Sequence, residues 1–86
     1  RTWAKENLTL DGTDITNQYK DLAEVAIASS IDVVVNGVVQ TETVDYTVNL
    51  TGGAGGNTRL TFAGDLATGG GAALVATDVL RVKYQY

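Results

Sequence analysis

Ten carboxylates, six basic side chains and no histidine or cysteine bound the chemistry open to this chain of 86 residues. Nucleophilic catalysis needs a Ser, Cys or Thr activated by a neighbouring base, most often histidine. With histidine and cysteine both missing from the sequence, the two main routes to hydrolase chemistry are closed. A carboxylate pair can cleave a glycosidic bond, but only across a cleft that so short a chain has little material to enclose. Asp11-Gly12-Thr13-Asp14 is oxygen-rich in the manner of a calcium turn. It lacks the further ligands and the closing glutamate of an EF-hand loop, and an Asp-Gly pair with a backbone-binding Asp nearby accounts for it as an ordinary turn. Gly52-Gly53-Ala54-Gly55-Gly56 lacks the Lys and the Ser or Thr of a phosphate loop and reads as a flexible loop tip. No catalytic residue, metal or organic cofactor is expected. The chain reads as one that builds, coats or binds something, not as an enzyme.

The remaining candidates are contact residues, and their roles depend on the strands that carry them. The sequence is rich in Val, Thr and Tyr, has no proline, and is punctuated by Gly, Asn and Asp, which is the mark of short strands and turns. Residues 5–10 alternate, with Leu8 and Leu10 on one face and Asn7 and Thr9 on the other. Residues 14–17 read as a polar turn, 19–23 as a short strand, and 23–30 as one helical turn or a loop. Asn36-Gly37 between residues 31–35 and 38–41 predicts a hairpin, because both central residues of the favoured turn take positive φ. Val44, Tyr46, Val48 and Leu50 alternate with Asp45, Thr47 and Asn49, and Leu60 and Phe62 repeat the pattern. Leu80, Val82, Tyr84 and Tyr86 share one face of the last segment, opposite Val79, Arg81, Lys83 and Gln85. The chain thus ends inside a strand, and loss of a few C-terminal residues should damage the core. The connection 63–77, with Gly69-Gly70-Gly71, exceeds ordinary hairpin loops, and 72–76 reads as a brief helix. Six or seven strands at this spacing, with no βαβ rhythm, predict an all-β fold. We expect one domain over 1–86, an antiparallel β-sandwich of Ig-like or similar type whose sheets bury their apolar faces together.

On that frame Tyr46, Phe62 and Tyr84 fall in phase with the apolar faces, which makes them core and not a sugar-stacking platform. Arg59, Arg81 and Lys83 lie on polar faces, where charge discourages edge-to-edge aggregation. Trp3 stands in a polar stretch, so either an adjacent segment or a partner chain must bury it. Leu66 and Leu74 place apolar surface in the 63–77 connection, and with Trp3 they are the candidate assembly contacts. A domain of this size buries only about 60 to 65 per cent of its unfolded surface. Without disulfides or a His/Cys-bound zinc, homo-oligomerisation or docking on an assembly is the remaining stabiliser. A net charge of −4 with no Lys/Arg cluster argues against nucleic acid as a partner. No apolar run approaches the roughly 20 residues of a membrane span, so a soluble chain with no membrane partner is expected. The opening Arg1-Thr2-Trp3, without methionine or a signal-peptide pattern, suits a processed or excised start.

The order of segments carries one resemblance. Leu8-Thr9-Leu10 is followed by Asp14-Ile15-Thr16-Asn17-Gln18-Tyr19 with Asp21-Leu22, then by Val33-Val34-Val35-Asn36-Gly37 and Asp45-Tyr46-Thr47-Val48. Arg59-Leu60-Thr61-Phe62 and Asp78-Val79-Leu80-Arg81-Val82-Lys83-Tyr84 complete it. Over nearly its whole length this pattern resembles small structural modules of tailed bacteriophage virions. The resemblance implies a compact β-sandwich displayed on a capsid or tail, with capsid or tail proteins of the same particle as partners. It implies a virion protein, assembled in the host cytoplasm, that decorates or cements a capsid, and it carries over no catalytic residue. The competing readings are a receptor- or glycan-binding module of a tail fibre and a subunit of a bacterial surface filament.

Overall fold

The computed structural model describes residues 2–86. Arg1, at the start read above as processed or excised, lies outside them. Strand β1 (Trp3–Thr9) alternates exposed and half-buried residues along its whole length, with Ala4, Glu6 and Leu8 turned inward. Trp3 is therefore a strand residue, because the two-residue period of the strand extends back through Glu6 and Ala4.

Asp11 caps a short helix, α1 (Gly12–Asn17), where a polar turn was expected over 14–17. Its Oδ1 accepts the Asp14 N–H at 2.9 Å, and Asp14 Oδ2 accepts the Asp11 N–H at 3.0 Å. This reciprocal box satisfies two donors at the helix start. It explains why Asp-Gly-Thr-Asp opens a helix here. Strands β2 (Tyr19–Asp21), β3 (Asp32–Val35) and β4 (Val38–Val39) follow, and residues 23–30 form a loop. Asn36 (φ 50°) and Gly37 (φ 81°) make the expected hairpin turn and place Val35 opposite Val38. Strands β5 (Tyr46–Asn49), β6 (Arg59–Phe62) and β7 (Val79–Gln85) complete the sheets.

The chain is all-β in character, with two antiparallel sheets ordered β1-β7-β3-β4 and β2-β6-β5 and little helix. Val33, Val35, Leu80, Val82 and Tyr84 from the first sheet meet Tyr46, Leu60 and Phe62 from the second in one buried cluster. Leu10, Leu22, Ile31, Leu66 and Leu74 close that cluster from the connections. No helix among the described residues is long and apolar enough to cross a membrane.

Two side chains in phase with the apolar faces are nevertheless exposed, and one expected element is absent. Val44 is 60% exposed, because it sits in the turn after Thr43 (φ 68°), before the pleat of β5 begins. Tyr86 is 41% exposed, since it closes the β1–β7 ladder at its rim, where its N–H and C=O bond to Thr2 at 2.9 Å. The helix expected over 72–76 is absent. There the Ala72 and Leu74 N–H groups donate backwards to Asp65 O (3.0 Å) and Leu66 O (3.2 Å), which doubles the loop on itself in place of i→i−4 bonds.

Candidate interaction surface

The pleat decides which side chains leave the core. On the outer face of the four-stranded sheet the register builds two rows across the strands. One row runs Lys5, Lys83, Asp32 and the next runs Asn7, Arg81, Val34, Val39. Trp3 stands beside Gln85 at one end, and Thr9 beside Val79 at the other. A shallow hollow of about 390 Å³ lies over these rows. Val39 is 71% exposed and Trp3 55% exposed on this side of the molecule. The Lys83 ammonium sits 4.8 Å from the centre of the Trp3 ring, so a cation already covers part of that aromatic.

The placement of charge on this face contrasts with the rest of the molecule. Lys20 pairs with Asp14 at 2.9 Å, and Arg59 pairs with Asp21 at 2.7 Å through Nε while its guanidinium lies over the Tyr19 ring. The hydrogen bond from Arg59 holds the Asp21 carboxyl below its ordinary value, helped by the Ala54 N–H. Lys5, Arg81 and Lys83 form no ion pair among the described residues, and all three lie on this one face. Lys5 is directly opposite Lys83, a like-charge cross-strand pairing that destabilises a sheet. Edge protection, the role expected for Arg81 and Lys83, does not account for them. They are on β7, which has β1 on one side and β3 on the other.

A second surface lies beside β4. A groove of about 560 Å³ runs between the hairpin, the turn before β5 and the 63–77 connection, with Val38, Val75 and Ala72 along it and Asp45, Asp65 and Asp78 around it. Val38 is 62% and Val75 58% exposed. Asp45 accepts the Thr41 N–H at 2.9 Å and Asp78 the Val75 N–H at 3.0 Å, but none of the three carboxylates is in an ion pair among the described residues.

Of the candidate assembly contacts, Trp3 alone is on a surface. Leu66 and Leu74 are 2% and 4% exposed, because the doubled connection folds both into the core. The expected core aromatics Tyr46, Phe62 and Tyr84 are buried. Burial followed by a hydrogen bond to Glu6 pushes the Tyr84 phenol up, while Glu6 also accepts the Ala23 N–H at 3.0 Å. Asp11 and Asp14 are engaged with each other's backbone, and among the described residues no three acidic side chains converge as a metal site. The glycine loop is tied down through Ala54 N–H to Asp21 at 3.0 Å and Gly53 N–H to Asn57 O at 2.8 Å.

Sequence reasoning missed Thr58. It is fully buried, donates to Leu50 O and accepts the Ala26 N–H, each at 2.8 Å, and so fastens the 23–30 loop to the second sheet. Nothing in its sequence neighbourhood marks it. No protein-family model, curated protein or solved structure matches this chain.

Proposed function

We propose that the chain is a non-enzymatic structural module of a tailed-bacteriophage virion, a β-sandwich that decorates or cements the capsid through protein–protein contacts. The segment order supports the virion reading. The observation that carries the contact reading is the outer face of the four-stranded sheet, where Trp3, Val39 and three cations without ion-pair partners stand together. Exposed apolar surface rimmed by charge is what a protein contact uses, and repeated copies make weak contacts add. A core facing two sheets, with apolar faces turned toward each other, supports the sandwich arrangement.

Quantifying the chain in purified particles tests the virion reading. Capsid decoration predicts copies in proportion to the capsid protein. A few copies confined to the tail would point to a receptor module, and absence from particles would end the reading. Trp3→Ala should leave the isolated module folded, since the exposed cation–aromatic contact it removes is worth about 0.5 to 1 kcal/mol. It should lower incorporation into particles. Equal incorporation of variant and wild type would remove Trp3 from the contact.

A further inference from the structure

The two surfaces beside β4 are opposite in sign and alike in construction. The outer face has Val34 and Val39 among Lys5, Arg81 and Lys83. The groove has Val38 and Val75 among Asp45, Asp65 and Asp78. Each is an apolar patch bordered by ionisable groups that lack an ion-pair partner among the described residues. The chain carries −4 overall, so the positive face opposes the charge of the rest of the molecule. The Lys5–Lys83 juxtaposition costs stability in the isolated chain, a cost offset only in part by Asp32 on the other side of Lys83 and by the Trp3 ring beneath its ammonium. An acidic surface laid over the row would turn that cost into attraction. Such a surface exists on every other copy.

We propose that copies of this chain associate head to tail, with the positive outer face of one copy seated on the acidic groove of the next. The two surfaces meet at Val39, which borders both, but their charged residues are different, so each contact leaves one set of cations and one set of carboxylates free. Addition therefore continues into a ring or a filament and does not stop at a two-fold dimer. The inference rests on reading the chain as an assembly module, and it names the contact between copies. A polyphosphate partner is disfavoured, because Asp32 stands in the same row as Lys5 and Lys83.

Sedimentation velocity of the whole chain over a wide dilution series tests this. The wild type should form species larger than a dimer, with association weakened by about tenfold or more between low and high salt, as expected for contacts between exposed charges. A face variant (Lys5→Gln, Arg81→Gln, Lys83→Gln), whose substitutions all lie outside the groove, and a groove variant (Asp65→Lys, Val75→Lys) should each be monomeric. Mixed together they should form a one-to-one complex and stop, because one supplies the only intact groove and the other the only intact face. That rescue also shows both variants to be folded. A wild type that is monomeric at every concentration overturns the proposal, as do variants that associate like wild type. Binding of a mixed-sequence oligonucleotide that is lost in the face variant, without self-association, would assign the face to phosphate and overturn it as well. A monomeric chain found at capsid copy number would sink this contact and leave the virion reading standing. A self-associating chain absent from particles would do the reverse.

Discussion

At the scale of single residues, the buried tyrosines set how the fold responds to alkali. Tyr46 is 3% exposed, and burial, with Glu42, Asp32 and Asp45 nearby, pushes its phenol up from 10.0 to about 12. Below pH 10 both folded and unfolded chains keep the proton. Between pH 10 and about 12 the unfolded chain loses it first and binds fewer protons than the folded one. Stability must therefore fall as pH rises through that window. The Tyr84 phenol is raised as well, by burial and by its hydrogen bond to Glu6, and acts in the same direction. Urea midpoints measured from pH 9 to 12 should fall for the wild type and fall less steeply for Tyr46→Phe. A wild-type midpoint that stays level across this range would contradict the assignment.

Among the elements, the 63–77 connection shows how a long loop becomes part of a core. Its two halves lie back to back: Ala72 and Leu74 bond to Asp65 and Leu66, and Leu66 and Leu74 enter the buried cluster together. Gly70 permits the approach. A Cβ built there would strike the carbonyl oxygens of Gly64 and Asp65, which are backbone atoms with little freedom to move aside. At Gly37 the constraint is different, since the space is open and only the positive φ of 81° resists a side chain. Gly37→Ala should cost about 1 kcal/mol, the strain of an L-residue in that region. Gly70→Ala should cost more, about 2 to 3 kcal/mol, in the range of forced overpacking. Comparing the denaturation midpoints of the two variants checks the order. Equal losses would mean that the loop does not hold this close approach in solution.

On the scale of the whole molecule, the first and last strands are neighbours, and the radius of gyration is 11.8 Å, close to the roughly 12 Å expected for a compact chain of this length. The β1–β7 ladder runs from Trp3–Gln85 to Thr9–Val79, and β7 also carries β3. Tyr84 is fully buried within it, paired across the sheet with Ala4, and Gln85 O accepts the Ile27 N–H at 2.8 Å. Removing a buried aromatic costs about 3 to 5 kcal/mol. A single core of this size supplies about as much in total. Deleting residues 84–86 should therefore abolish cooperative unfolding, with loss of the β signal in circular dichroism. A truncated chain that still melts in a sharp transition would show that the β1–β7 ladder is not the spine of the fold.

The sequence by itself determined what depends on near neighbours and on period. Asn36-Gly37 specifies its own turn, and the two-residue alternation of 80–84 and of Leu60 and Phe62 assigns their inner faces wherever the strands end up. Pattern also placed Lys83 and Arg81 on an outer face, and composition excluded histidine and cysteine chemistry. Only the tertiary structure decided what depends on partners distant along the chain. The capping box at Asp11 was readable in principle from Asp-x-x-Asp, but a turn and a helix start share those residues until the following backbone is placed. Leu66 and Leu74 lie in a loop, a position that by itself implies exposure, and the return of the chain at Gly70 is what buries them. Thr58 gained its role from Ala26 and Leu50, and Trp3 its neighbour Lys83 from the β1–β7 register. The candidate surface itself is of this second kind. Lys5, Arg81, Lys83, Val34 and Val39 are scattered over four strands in the sequence, and strand order β1-β7-β3-β4 is what brings them to one face.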